Sequence, residues 1–311
     1  MATKTITIVG ATGQQGGSVI NAILSHPILS QKYQIRAITR DPTSPSAHFP
    51  SWVTVVRADL DDPASLESAF KGSFAVFGVT DYWARRDVEY EIQQGKNIAD
   101  AAKASGVSHL IWSSSTHVAR ATDGRIADCK YFDGKAEVEE YIETMKGDMA
   151  VTYVLPGIFM QMVKKEITMG LGGNPVWLKP WDDETRVPYI DAWDSGLYVA
   201  GALLEENHKK MDNVHIRGVS QWLNPREVTE ILSRNIKQDV RFLNIPVETY
   251  RRILPDPVAP ELVANMVWVQ EQGYFGRGWE ERQAESDKYL GDMKPKTWET
   301  YIKKQSDWTW N

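Results

Sequence analysis

The feature that most constrains this chain is a regular alternation of short β-branched runs with helical patterns over its first 155 residues. The runs that we predict as strands lie at 5–9, 34–39, 52–56, 74–79, 110–113 and 151–155. Strands that alternate with helices along the chain form βαβ units and a parallel sheet. The sequence therefore predicts an α/β fold with a doubly wound, Rossmann-type parallel sheet.

The pattern changes after Pro156. Residues 170–188 are rich in Gly, Pro and Trp, and the remainder mixes helical patterns with irregular stretches. We predict one domain over residues 1–156, with elements that return to it from about 185–218. The rest of 157–311 is predicted to form a second, smaller mixed α/β domain.

Composition and charge exclude several classes of protein. The chain of 311 residues has a formal net charge of −6 and no dense Lys/Arg cluster, so we expect no direct nucleic-acid partner. The single cysteine, Cys129, excludes an internal disulfide and a multi-cysteine metal site, and no metal is predicted. No apolar run reaches the roughly 18 residues of a membrane span, and no signal-peptide pattern is present. We expect no membrane partner and a cytoplasmic protein.

Tryptophan is unusually frequent, with twelve residues in the chain. Five of them, Trp177, Trp181, Trp193, Trp222 and Trp268, lie in the segment between Trp112 and Trp279. These side chains either pack in a core and between domains or line a pocket for a bulky planar ligand, because indole rings stack well.

A glycine-rich turn follows the first predicted strand. Gly10, Gly13 and Gly16 form a G-x-x-G-x-x-G pattern within GATGQQGGSVI, immediately before a helical pattern. Such a turn can direct backbone N–H groups at a pyrophosphate, and glycine lets the backbone approach it closely. The position between strand and helix predicts a dinucleotide-binding domain; a simple tight turn is the alternative.

The end of the second predicted strand indicates which dinucleotide binds. Thr39 and Arg40 stand where NAD-specific sites usually carry an acidic residue for the ribose 2′-hydroxyl. Arg40 can bind a 2′-phosphate through charge-assisted hydrogen bonds. Asp41 could be that acidic residue one position late, but Pro42 indicates that the chain is already turning away. We therefore predict NADP(H), with a solvated Arg40 as the alternative.

Several motifs together resemble those of the NmrA-like family of atypical short-chain dehydrogenases/reductases. They are GATGQQGGSVI, ITR at 38–40, VTDYW at 79–83, QQGKNIADAA, FDGKAEVEEYI and the C-terminal KTWETYIKKQSDW, so the resemblance extends over the whole chain. It implies an NADP-binding domain and a smaller C-terminal domain that enclose a cleft. Family members divide into reductases and redox sensors that bind NADP(H) and regulate other proteins.

The resemblance also implies cofactor contacts. The residues are Gly10, Thr12, Gly13, Gln14, Gln15 and Gly16 at the diphosphate; Thr39 and Arg40 at the 2′-phosphate; Asp59 and Leu60 at the adenine; Thr80 beside the adenosine ribose and diphosphate; Lys135 at the nicotinamide ribose; and Pro156, Gly157, Ile158 and Phe159 at the nicotinamide.

Catalytic roles follow from the resemblance as well. Tyr131 and Lys135 are four residues apart, so both face one cleft if the segment is helical. In short-chain dehydrogenases the Lys binds the ribose and lowers the pKa of the Tyr, which exchanges a proton with the substrate. A serine at the end of the fifth strand polarises the same oxygen; we prefer Ser115, with Ser114 as the alternative.

Three further residues are candidates for substrate contact. Tyr82 and Trp83 could form the floor of the cleft or simply pack. His117 could relay protons, although histidines near strand ends are more often exposed or held by one backbone bond.

We expect an NADP(H)-dependent oxidoreductase that transfers hydride to or from a carbonyl, imine or conjugated alkene. Its substrate is expected to be a bulky, aromatic small molecule of secondary metabolism, and the transformation could be redox-neutral overall. The presence of Tyr131, Lys135 and Ser115 together favours an enzyme. The alternative is a non-catalytic NADP(H)-sensing regulator that acts through a protein partner. The sequence leaves the oligomeric state open.

Overall fold

A seven-stranded sheet forms the centre of the computed structural model, which describes residues 3–44, 47–305 and 307–310. The strands of the protein are β1 Lys4–Ile8, β2 Tyr33–Thr39, β3 Val53–Arg57, β4 Ala75–Gly78, β5 His109–Ser113, β6 Ala150–Pro156, β7 Ile158–Phe159, β8 Ile167–Met169, β9 Pro175–Lys179, β10 Val187–Ile190, β11 Val214–Gly218, β12 Gln221–Leu223 and β13 Arg241–Asn244.

The α-helices connect these strands and cover the sheet. They are α1 Gln14–Ser25, α2 Leu29–Lys32, α3 Pro63–Phe70, α4 Val88–Ala104, α5 Val118–Ala121, α6 Lys130–Met145, α7 Met160–Glu166, α8 Ser195–Leu204, α9 Pro225–Ile236, α10 Val247–Ile253, α11 Ala259–Gln272, α12 Ala284–Asp287 and α13 Trp298–Lys304. Among the described helices, none is both long enough and apolar enough to cross a membrane.

The large sheet is parallel throughout and has the strand order β11-β6-β5-β4-β1-β2-β3. Strand order reverses between β1 and β4, which is the point where doubly wound sheets bind ligands. All six predicted strands are present in this sheet. The predicted fold class is therefore confirmed.

Helices cover both faces of the large sheet. On one face, α1 packs against α8; on the other, α4 packs between α3 and α6. The first interface is close enough that a Cβ on Gly196 would collide with the backbone of Ser18. Two apolar cores result, one on each side of the sheet.

Two small sheets, β12-β10-β7 and β13-β9-β8, make up most of the remaining β-structure. A third core gathers around them and contains Trp177, Trp181, Trp268 and Trp298, all at most 2% exposed. The chain also returns to the large sheet, because β11 pairs with β6. The division of the chain into two domains stays a prediction.

Candidate active site

A cavity of about 1030 Å³ lies at the carboxyl ends of β1, β2, β4, β5 and β6 and extends towards the small sheets. The predicted site residues that line it are Gly10, Thr12, Gly13, Gln14, Gln15, Gly16, Thr39, Arg40, Asp59, Leu60, Thr80, Tyr82, Trp83, Ser115, Tyr131, Lys135, Pro156, Gly157, Ile158 and Phe159. Residues scattered over 150 positions of sequence thus share one cavity, because parallel strands present their carboxyl ends at the same edge.

The glycine-rich turn forms one wall of the cavity. Gly10 has a φ of +64°, a conformation that L side chains rarely adopt, and its carbonyl accepts a hydrogen bond from the Gly13 amide at 2.9 Å. A Cβ on Gly16 would lie 2.8 Å from the Ala11 nitrogen and closer still to the Gly10 carbonyl. The turn leads directly into α1, whose first amides have the geometry for an anionic group.

The end of β2 presents both the Arg40 cation and the Asp41 carboxylate to the cavity, but the carboxylate is already hydrogen-bonded within its own turn. The Asp41 carboxylate accepts hydrogen bonds from the Thr43 amide at 2.9 Å and the Thr43 hydroxyl at 2.6 Å, and these bonds hold its pKa below the usual value. Arg40 is exposed and makes no hydrogen bond or salt bridge with the described residues. The arrangement suits a phosphate better than a ribose hydroxyl at this position.

The Tyr131 phenol faces the cavity from the first turn of α6. Its ring lies 5.1 Å from the Trp83 ring and 6.1 Å from the Tyr82 ring, centroid to centroid. The hydroxyl has no hydrogen-bond partner within the described ranges. Burial raises its pKa well above the ordinary value for tyrosine. The lowered pKa that we expected is therefore wrong for this arrangement.

Lys135 also faces the cavity, but its ammonium is already engaged. It donates to the Glu91 carboxylate at 2.6 Å, to the Thr80 carbonyl at 2.9 Å and to the Thr80 hydroxyl at 3.0 Å. The Glu91 side chain is only 1% exposed, and its second carboxylate oxygen has no partner in the described structure. All three hydrogen bonds of the Lys135 ammonium among the described residues go to Glu91 and Thr80, and none goes to Tyr131.

Three serines follow one another at the end of β5, and each makes a different hydrogen bond. Ser113 donates to the Gln15 side chain at 2.8 Å, and Ser114 donates to the Glu139 carboxylate. Ser115 donates to the carbonyl of Phe132, beside Tyr131, at 3.1 Å. All three line the cavity, and Ser115 is the most exposed of them.

Two of the predicted substrate contacts line the cavity and one does not. Tyr82 donates a hydrogen bond to Glu261 at 2.6 Å, and Trp83 is 46% exposed. His117 lies outside the cavity, so its assignment to the substrate is corrected. Its ring accepts from the Arg120 amide at the start of α5 and lies 3.2 Å from the Asp133 carboxylate, which fixes it on a different surface.

Sequence reasoning missed a polar group at the end of the cavity formed by the small sheets. Glu166 and Lys179 lie 2.7 Å apart there, and the Tyr189 hydroxyl is nearby and buried. The sequence did contain a signal. Lys179 is two residues after Trp177 in β9, so both side chains lie on the same, buried face of the strand. Glu91 had a similar signal, since it falls on the apolar stripe of α4.

Comparison with known proteins places the chain among a set of related sequences. The model of the NmrA-like family matches residues 2–302. An NmrA-like family domain-containing oxidoreductase of Aspergillus hancockii is 30% identical over 295 residues, which are 88% of this chain and 85% of the relative. Another from Malbranchea aurantiaca is 28% identical over 265 residues, 78% of this chain and 76% of the relative.

Solved structures share the fold. The negative transcriptional regulator NmrA in complex with NADP has a TM-score of 0.79 at 22% identity, covering 98% of this chain and 95% of that one. An NADPH-dependent quinone oxidoreductase of Escherichia coli, complexed with NADPH, has a TM-score of 0.72 at 22% identity, covering 96% and 98%. The match of the family model over nearly the whole length confirms the resemblance that the motifs predicted. The chain belongs to the NmrA-like family.

Proposed function

We propose that the chain is an NADP(H)-dependent oxidoreductase that exchanges hydride with a carbonyl, imine or conjugated alkene of a bulky aromatic metabolite. The relatives from Aspergillus hancockii and Malbranchea aurantiaca are both named as oxidoreductases. The cavity supports the same proposal, because both the glycine-rich turn and the Tyr131 hydroxyl line it.

The proposed cofactor contacts fit the residues present. The turn from Gly10 to Gly16 holds the diphosphate, and a Cβ on Gly16 would collide with the Gly10 carbonyl and so distort this turn. Arg40 binds the 2′-phosphate, and the segment 156–159 borders the nicotinamide. NADPH supplies the hydride when it is bound.

The single observation that carries the proposal is the state of the Tyr131 hydroxyl. It faces a cavity walled by aromatic rings and donates to none of the described residues, so its proton is available to a substrate. Since burial raises the pKa of Tyr131, the phenol stays protonated near neutral pH. A protonated phenol suits reduction: hydride adds to the carbonyl carbon, and Tyr131 gives its proton to the oxygen.

Ser115 and Lys135 assist in different ways. Ser115 is the second hydroxyl beside the reacting oxygen and polarises it by exchanging its hydrogen bond to the Phe132 carbonyl for one to the substrate. Lys135 holds the ribose side of the site by exchanging one of its bonds to Thr80 for a ribose hydroxyl.

One observation favours a second candidate function, an NADP(H)-responsive regulator that acts through a protein partner. Three hydrogen bonds of Lys135 go to Glu91 and Thr80, which leaves no donor of this ammonium unused. A lysine held in this way is suited to sensing the cofactor, because NADP(H) can bind to Lys135 only if one of these three hydrogen bonds is broken.

Turnover by the Tyr131→Phe variant tests the first function against the second. Wild-type protein, Tyr131→Phe and the control Tyr301→Phe, which changes a buried tyrosine outside the cavity, are assayed with NADPH and with NADP⁺. The substrates are aromatic ketones, enones and cyclic imines. We expect Tyr131→Phe to lose about 10²- to 10⁴-fold in kcat, the range for removal of a general acid, with NADPH affinity unchanged. NADPH binding without turnover by any of the proteins would favour the regulator.

A further inference from the structure

The end of the cavity next to the small sheets holds a lysine that is almost completely enclosed. Lys179 is 2% exposed, and its ammonium lies 5.2 Å from the centre of the Trp181 ring and 5.4 Å from the centre of the Tyr250 ring. It donates to Glu166 at 2.7 Å and to the Tyr250 hydroxyl at 3.2 Å. Its third hydrogen-bond partner among the described residues is the Met266 sulfur at 3.7 Å, which is a weak acceptor.

Packing alone does not account for this pair. Lysine is almost never fully buried unless it is paired, and a buried ion pair adds little stability compared with apolar side chains of the same volume. Glu166 and Lys179 also border open space rather than solid core, since both line the cavity. A charged pair at a cavity wall is available to a ligand.

An independent observation concerns Tyr189 on β10. Its side chain is 1% exposed and lines the same end of the cavity, and its hydroxyl has no hydrogen-bond partner among residues 3–44, 47–305 and 307–310. An unpaired buried hydroxyl costs free energy, so a group that pairs with it is bound favourably. A group that occupies the cavity can supply the missing partner.

The protonation states of these groups define the chemistry of that partner. Burial works to lower the pKa of Lys179, but the adjacent Glu166 carboxylate and the Tyr250 side chain together outweigh this effect, and the pKa lies above the ordinary value. Burial, together with the negative charge of Glu166, raises the pKa of Tyr189. Both groups therefore keep their protons and act as donors. The charges of Lys179 and Glu166 cancel, so the site attracts neither an anion nor a cation strongly.

We propose that Lys179 and Tyr189 form a recognition site for a neutral carbonyl oxygen on a planar aromatic ligand. The oxygen accepts hydrogen bonds from the Tyr189 hydroxyl and from the Lys179 N–H that faces Met266, while the rings of Trp177 and Trp181 contact the aromatic body. This inference rests on the proposed function and deepens it, because it names the group by which the substrate is recognised.

Binding of three matched ligands tests the site without relying on turnover. Fluorenone has the carbonyl, fluorene lacks it, and fluorene-9-carboxylate replaces it with an anion. Each is titrated calorimetrically into NADP⁺-saturated protein. The variants are Tyr189→Phe, Tyr131→Phe and the double variant Lys179→Met/Glu166→Gln, which removes both charges together. Tyr33→Phe is the control, because this tyrosine is buried and lies outside the cavity.

We expect wild-type protein to prefer fluorenone over both other ligands. Tyr189→Phe should weaken fluorenone binding about three- to tenfold, the effect of one net hydrogen bond, and leave fluorene unchanged. Because the Tyr189 hydroxyl bonds to no described residue, this variant should fold as well as the wild type. The double variant should lose the preference, and Tyr131→Phe and Tyr33→Phe should keep it.

The outcomes separate this proposal from the proposed function. If Tyr189→Phe and the double variant bind all three ligands as wild type does, or if the protein binds none of them, the recognition site is overturned even where Tyr131→Phe abolishes turnover. If the fluorenone preference depends on Tyr189 but no substrate is turned over, the recognition site stands and the oxidoreductase proposal fails.

Discussion

The ion pair of Lys135 with Glu91 is the residue-scale feature that most affects how this site works. The carboxylate is enclosed, with 1% of the side chain exposed, and among the described residues only Thr80 and Lys135 donate to it. Removing one partner of a buried pair leaves an uncompensated charge. The pair therefore ties the proposed cofactor contact on α6 to the folding of α4 beneath it.

This coupling predicts the effect of Lys135→Met on stability. We expect the free energy of unfolding to fall by about 3–5 kcal/mol, because the Glu91 charge loses its counter-ion. The double variant Lys135→Met/Glu91→Gln should recover at least half of the loss, since it removes the charge. Urea denaturation of both variants measures the difference. A single variant as stable as the wild type would contradict a charged Glu91.

Prediction of single residues from the sequence succeeded where a motif fixes their spacing. It failed where the environment of a side chain depends on a partner from another part of the chain. The spacing of Tyr131 and Lys135 predicts that both face one cleft, and both line the cavity. The spacing contains no information about Glu91, which pairs with Lys135, or about the burial that raises the pKa of Tyr131. Glu166 and Lys179 were missed because they pair across separate elements, α7 and β9.

At the scale of elements, the junction between β1 and α1 is the most tightly constrained. The positive φ of Gly10 and the close approach of Gly16 to the Gly10 carbonyl let the chain turn within a few residues and start a helix. Both conditions were visible in the sequence as the glycine spacing.

The junction gives a prediction for Gly16→Ala. The new methyl group meets backbone atoms of Gly10 and Ala11, which cannot move aside as a flexible side chain could. We expect weaker NADPH binding and a loss of stability of about 1–3 kcal/mol, the usual cost of overpacking. Gly172→Ala is the matched control, because its Cβ would meet nothing within 4 Å. Fluorescence titration and thermal unfolding measure the two effects. NADPH binding equal to that of the wild type would show that the diphosphate does not use this turn.

Sequence predicted the elements of the large sheet better than those of the small sheets, for a physical reason. Strands such as β2 and β6 are seven residues long and flanked by helices with a clear apolar period. The strands β7, β8 and β12 have only two or three residues, too few to show a period of two. In addition, β7 and β12 both pair with β10, which lies about 30 residues away along the chain.

At the scale of the whole molecule, the polar groups of interest lie at opposite ends of the large sheet. The carboxyl ends of the strands carry the cavity, whereas the amino end of β5 buries His109, which is 1% exposed. Its ring bonds to the Thr152 hydroxyl at 2.8 Å and lies 6.2 Å from the His208 ring. Protonation at this end can therefore change stability without contact with the proposed catalytic residues.

His109 predicts how the stability of the molecule depends on pH. Burial, with a smaller contribution from His208, lowers its pKa to about 3, whereas the unfolded value is about 6.5. The folded protein thus holds the ring neutral while the unfolded chain takes up a proton, so stability is present above about pH 6.5 and decreases as pH falls towards 3. Between about pH 7 and pH 5.5 we expect His109 to account for a loss of about 1 kcal/mol. Urea denaturation of wild-type protein and His109→Gln at both pH values measures it: the variant cannot take up this proton, so its decrease should be smaller by that amount. Equal decreases in the two proteins would mean that His109 is protonated in the fold or accessible to water.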